Sequence, residues 1–138
     1  MGSEKSLWRT LNKNMNQNWE VQRVENLIGP GTPDLYYTLG KNSTGWLELK
    51  YLDDWPKKRP TPVKIEHYTP QQRNWFRRHG SKGANVFLLL QVNKEYLLFD
   101  WETAVKHVGN YPAFELKVAA IGYWKNKINY SELINTIR

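Results

Sequence analysis

The sequence contains no cysteine. Disulfides, thiol nucleophiles and every cysteine-ligated zinc or iron–sulfur site are thereby excluded. Long apolar runs are missing too: the longest, Val86–Leu90, falls far short of the roughly 20 residues that cross a bilayer. No secretory apolar region opens the chain, so an intracellular, cytoplasmic protein is expected. Acids are scarce relative to bases. Thirteen Asp and Glu face twenty Lys and Arg, a net charge of +7, which favours nucleic acid as partner ahead of an anionic membrane. No segment combines an amphipathic helix with a basic face, so membrane binding is not expected. What is plentiful is apolar: 40% hydrophobic and 14% aromatic residues in 138 are enough to fold one domain spanning residues 1–138. Met1-Gly2-Ser3 reads as a cloning remnant and is set outside the fold.

Glu4 to about Asn18 carries Leu7, Trp8, Leu11 and Met15 at helical spacing. Strands are expected at Glu20–Ile28, Asp34–Leu39 and Gly45–Leu52, the last two forming a hairpin about Gly40–Thr44. Residues 53–68 hold Pro56, Pro60 and Pro62 around Lys57-Lys58-Arg59, which makes a stiff, cationic loop. Thr69-Pro70 starts a helix that stops near Gly80. Val86–Val92 reads as a strand covered on both faces, paired across Asn93-Lys94 with Glu95–Phe99. Asp100 caps a short helix to Val108, Ala113–Ile121 is read as a strand although helix also fits, and Ser131–Arg138 is a terminal helical turn or two. The order α-β-β-β-α-β-β-α describes an α/β domain, a mixed sheet flanked by helices.

Within the hairpin, side chains alternate, so Leu47 and Leu49 take the core side while Glu48 and Lys50 share the other. Folding about Lys41–Asn42 pairs residues whose numbers sum to 82–84, which sets Asp34 opposite Glu48 or Lys50. Two adjacent carboxylates repel unless a cation joins them. Mg²⁺, with Mn²⁺ as substitute, suits such oxygen ligands, and it supplies what phosphodiester hydrolysis needs. Lys50 would add a fixed positive charge at the reacting phosphate.

These residues resemble a family. Pro33-Asp34, thirteen intervening residues and Glu48-Leu49-Lys50 are similar to the PD-(D/E)XK nuclease signature. The longer string Arg23-Val24-Glu25-Asn26, Gly31-Thr32-Pro33-Asp34-Leu35, Trp46-Leu47-Glu48-Leu49-Lys50, Pro70-Gln71-Gln72 and Trp75 resembles the VRR-NUC-like phage branch. That branch in turn resembles the Holliday-junction resolvases, and the match runs over roughly Glu4–Val92. The resemblance implies a restriction-endonuclease-like core of αβββαβ order. It makes Asp34, Glu48 and the Leu49 carbonyl the metal ligands, and Lys50 the catalytic lysine. It also calls for a further acid on the first helix, where Glu4 stands; Glu25, nearer the hairpin in the chain, competes and is slightly preferred. Glu4 equally suits a helix's first turn, and Glu25 an ion pair with Arg23. Gln72 is either a catalytic-site residue or the partner of Thr69 in a capping box, with Gln71 as a lesser alternative.

Lys57, Lys58, Arg59, Arg73, Arg77 and Arg78 are candidate phosphate contacts, and Trp55 a lesser candidate for base stacking. His67, His79 and His107 lack ligand spacing. Gly29-Pro30-Gly31 is no nucleotide loop, because no Gly-Lys-Ser/Thr follows it. The expectation is a Mg²⁺-dependent endonuclease that cuts branched DNA as a homodimer, a phage-type Holliday-junction resolvase that would work in a host's cytoplasm. Its rivals are a flap or nick nuclease of repair or replication, and a basic DNA-binding module without catalysis.

Overall fold

In the computed structural model, which describes residues 2–24 and 29–138, the apolar stripe of the first helix, α1 (Glu4–Met15), buries Leu7, Leu11 and Met15. Ser3, set aside on sequence as a remnant, is its N-cap: Ser3 and Ser6 exchange the two hydrogen bonds of a capping box. Three strands follow, β1 (Glu20–Arg23), β2 (Leu35–Thr38) and β3 (Thr44–Leu52). The last five residues of the expected first strand include Glu25–Ile28, which lie outside the described residues. Leu35 pairs with Leu47 and Tyr36 with Trp46, so the hairpin has the register of sum 82 and Asp34 precedes β2 on the Glu48 side.

The loop 53–69 has no regular element and crosses to α2 (Pro70–Gly80), where Thr69 caps and Pro70 fills the first turn. On the way it is pinned by Val63, fully buried, whose N–H donates to the Tyr111 carbonyl. Strands β4 (Val86–Val92) and β5 (Glu95–Asp100) form a tight hairpin, and β4 runs parallel to β3. Asp100 caps α3 (Trp101–Lys106). Residues 113–121 correct the sequence reading. They form a helix, α4 (Ala113–Ala119), and a sixth strand, β6 (Gly122–Lys125), comes after it. The chain continues to α5 (Tyr130–Ile137).

The six strands lie in sequence order in one mixed sheet. One face packs α1 and α5 through Leu35, Tyr37, Leu47, Leu49 and Leu98; the other packs α2, α3 and the 53–69 loop on Leu88, Leu90, Leu97 and Phe99. β4 feeds both layers, the reason its sequence is apolar on both faces. Among the described residues no helix is long and apolar enough to cross a membrane.

Candidate active site

The odd-numbered leucines of β3 turn into the α1 layer, so the strand's pleat forces Glu48 and Lys50 beneath α2. Both are almost wholly buried, 1% and 2% exposed. Neither sits there uncompensated. Lys50 Nζ lies 3.3 Å from Glu48 Oε2 and donates to the His67 carbonyl at 2.8 Å. His67 reaches it from a left-handed backbone, φ 64°, a conformation that costs a non-glycine residue energy. The aromatic ring of Tyr68 lies 5.8 Å below the same ammonium.

Asp34 stands at the mouth of β2. Its Oδ2 accepts the Leu49 N–H at 2.8 Å. A strand residue's N–H and C=O point the same way, so the Leu49 carbonyl faces the Asp34 side as well. Gln72 closes the capping box and also touches Glu48. Its Oε1 accepts the Thr69 N–H, closing the capping box, and its Nε2 donates to Glu48 Oε2 at 3.3 Å. Gly31, with φ 86°, lets the 29–34 loop press against the first turn of α2, where any Cβ would collide with the Gln71 carbonyl.

Glu4, Asp34, Glu48, Lys50, His67, Gln71 and Gln72 thus line one cleft of about 600 Å³. Glu4 is brought in by the N-terminal turn of α1. Burial raises its carboxyl above the usual range; Lys50 pulls it down, Asp34 pushes it up and His67 pulls it down again, so those three charges are its neighbours. Glu25 lies outside the described residues. For Glu48, burial drives the carboxyl well above the ordinary range, the Asp34 charge adds to that, and Lys50 offsets only part.

The remaining candidates lie elsewhere. Lys57, Lys58 and Arg59 are exposed on the loop and do not line the cleft. Arg77 and Arg78 are exposed on the last turns of α2, whereas Arg73 is half-buried. Its guanidinium donates to the Ala104 and Val105 carbonyls and stacks 4.0 Å from the Tyr68 ring, a cation drawn to the end of α3. Trp55 donates its indole N–H to Glu95 and carries Lys117 over its ring. His79 stacks on Trp75, and His107 lies tilted against Tyr111. His67 is the site residue that sequence reasoning passed over, because a backbone carbonyl has no side-chain signature. Its faint signal is that His is among the residues enriched in left-handed positions.

The donor set can be tested against a hard cation. Among the described residues no three His, Cys, Asp or Glu side chains form a ready metal cage. Mg²⁺ does not need one, since it keeps several waters and takes one or two carboxylates. Glu48 Oε1 is buried with no hydrogen-bond partner, a costly orphan for a group beside a second carboxylate. Two carboxylates, a backbone carbonyl and an open cleft fit such an ion.

The fold defines an α/β protein of the restriction-endonuclease-like class. No family model matches the sequence, and no curated protein matches it. Among solved structures the chain is similar to Archaeoglobus fulgidus Hjc, a Holliday junction resolvase from an archaeal hyperthermophile. The TM-score is 0.56 and the identity 13%, over 84% of this chain and 93% of that one. A VRR_NUC domain superposes with TM-score 0.48 and 22% identity, over 66% of this chain and 86% of its own.

Proposed function

We propose that this chain is a divalent-metal-dependent endonuclease for branched DNA, a Holliday-junction resolvase of phage type. The observation that carries the reading is the buried Glu48–Lys50 pair beside the half-buried Asp34, with an unsatisfied Glu48 oxygen. The resemblance to a resolvase fold supports the choice of branched DNA, and the sequence string supports the phage branch.

Asp34, Glu48 and the Leu49 carbonyl would hold Mg²⁺ or Mn²⁺, with Glu4 as the further acid. When bound, such an ion polarises the phosphoryl oxygen and makes a bound water more acidic. The chain's own residues do the rest. Glu48 is fixed from two sides, by the Gln72 amide and by Lys50. Lys50, its ammonium held by the His67 carbonyl, presents a preorganised positive charge where the phosphate gains negative charge. Because burial removes competing water, that charge acts through a low dielectric. Arg77, Arg78 and the Lys57–Arg59 loop would neutralise flanking phosphates. Each chain carries one such site, so two symmetric cuts call for a two-fold dimer.

The decisive assay offers labelled four-way junction, flap, linear duplex and single strand, with Mg²⁺ and with chelator. The junction should be cut fastest, and only with metal. Asp34→Asn and Glu48→Gln should each abolish cutting while DNA binding holds or tightens, since a carboxylate no longer repels phosphate. Lys50→Ala should lose on the order of a hundredfold, and Glu4→Gln should raise the Mg²⁺ requirement. Near wild-type cutting by Asp34→Asn or Glu48→Gln would overturn the assignment.

A further inference from the structure

Four aromatic rings stand in a row beside the cleft. Tyr36 and Trp46 are cross-strand partners on β2 and β3, with ring centroids 4.8 Å apart. Trp46 meets the edge of Trp75 on α2 at 5.0 Å, and Trp75 stacks on His79 at 3.7 Å and 20°. The pleat places this row on the chemistry's own face. Tyr36 is two residues from Asp34 and Trp46 two from Glu48, so their Cα atoms lie one pleat repeat, about 7 Å, from those of the two acids. That is about two steps of stacked bases, at ~3.4 Å each.

The row is not closed over. On this face α2 and α3 pack on the inner strands, while Gln22, paired with Tyr36 on β1, is exposed. Tyr36, Trp46 and His79 each stay half-buried and Trp75 is 7% exposed. The outer sheet therefore offers ring surface that the core has not used. Charge follows the same line. The carboxylates lie at the first turn of α2, beside Gln72, and the rings lead towards its last turn, where Arg77 and Arg78 are exposed. Lys41 stands exposed at the tip of the β2–β3 hairpin, and Glu20 sits out on the edge strand β1.

We infer that Tyr36 and Trp46, backed by Trp75 and His79, form a stacking platform for unpaired nucleobases next to the cut phosphate. Bases freed at a branch would lie on the rings while Arg77 and Arg78 take their phosphates. Stacking on aromatic rings is tolerant of sequence and needs a π-face that a paired base does not expose. The platform would then engage bases unstacked at the branch point in preference to those held within paired arms. Burial and the neighbouring Arg78 lower the His79 titration, which favours a neutral ring against Trp75. The inference rests on the nuclease reading for its choice of DNA.

The test uses 2-aminopurine, whose fluorescence is quenched on stacking. The base analogue is placed at unpaired positions flanking the branch, and at the same positions in fully paired duplex. Measurements are made in chelator, so that nothing is cut. Addition of the protein should quench the unpaired probe and leave the duplex probe unchanged. Tyr36→Ala should abolish the quenching and weaken binding of the unpaired substrate by roughly tenfold, while Tyr36→Phe restores both. Trp46 packs into the core, so Tyr36 is the residue to change, with thermal melting as the check on folding. Equal quenching in duplex, or undiminished binding of the unpaired DNA by a folded Tyr36→Ala, would overturn the platform. A Tyr36-dependent response from a protein that cuts no DNA in Mg²⁺ would uphold the platform and defeat the nuclease reading. Metal-dependent cutting without any response would do the reverse.

Discussion

At the scale of single residues, the site is built from groups that the fold keeps at a cost. Glu48 is the clearest. Its carboxyl is raised from the ordinary 4.5, by burial first and the Asp34 charge second, so the folded chain holds a proton that the unfolded chain releases. That contribution to stability is complete below the unfolded value and is lost as pH rises through the folded one. Melting temperature in chelator should therefore fall as pH rises above the ordinary carboxylate range, and Glu48→Gln should flatten that part of the slope. Mg²⁺ should stabilise the wild type more at the alkaline end, where no proton competes for the carboxylate. A slope unchanged by Glu48→Gln would place the titration elsewhere. His67 offers a second check. Glycine accepts φ 64° freely and a β-branched residue does not, so His67→Gly should cut DNA roughly tenfold faster than His67→Val, whose left-handed strain displaces the carbonyl from Lys50. Equal rates would mean that the carbonyl does not matter. The sequence showed the Asp34, Glu48 and Lys50 convergence because strand alternation and hairpin register are local rules. Glu4 was harder to place because it comes from another layer: α1 crosses the sheet and brings Glu4 to the cleft with Asp34 and Lys50, while Glu25 lies outside the described residues.

At the scale of elements, legibility tracked the strength of local punctuation. Thr69-Pro70 opened α2 and Gly80 closed it at the residues expected, and the apolar run 86–92 is β4 to the residue. Residues 113–121 misled because Phe114, Leu116 and Val118 alternate as a strand would. In the helix they divide differently: Leu116 is buried, while Phe114 and Val118, four apart, share an outward face at 73% and 72% exposure. An apolar helix face turned to solvent breaks the rule on which periodicity depends. β6 went unseen because its four residues turn one large side chain, Trp124, inward. The loop 53–69 was legible as irregular and basic. Its run of three consecutive cations is exposed, so replacing Lys57, Lys58 and Arg59 together should flatten the slope of log affinity against log salt by up to about three units. Replacing Arg77 and Arg78 should flatten it by about two. Arg73→Ala should instead lower the melting temperature with little change in slope, because its guanidinium is bonded to α3. A full unit of slope lost on Arg73→Ala would return that residue to the DNA surface.

At the scale of the whole molecule, the question is how one cleft per chain could make two cuts. The large aromatics divide in the structure: Tyr37 and Trp124 are buried, and Tyr36, Trp46 and Trp101 half-buried. Tyr111, Phe114 and Tyr123 are left exposed, and Val118 and Ile121 join them. All five lie on α4, its flanks or the edge strand β6. Tyr111, Phe114 and Val118 line one shallow hollow; exposed apolar surface of this kind marks an interaction site, and large aromatics are favoured at the centres of interfaces. The proposed dimer needs a self-complementary patch on each copy, since a two-fold axis joins like to like. The α4–β6 surface supplies it on a sheet edge remote in topology from β2 and β3, so pairing there would leave both clefts open to opposite strands of a junction. Light scattering at micromolar concentration should give twice the chain mass. Phe114→Asp with Val118→Glu should return the protein to a folded monomer, because neither side chain belongs to the chain's own core. Single nicks should then replace paired cuts on the four-way junction, while each nick remains metal-dependent. A wild-type monomer that still cuts opposite strands in pairs would show that the second site is not supplied by a second copy.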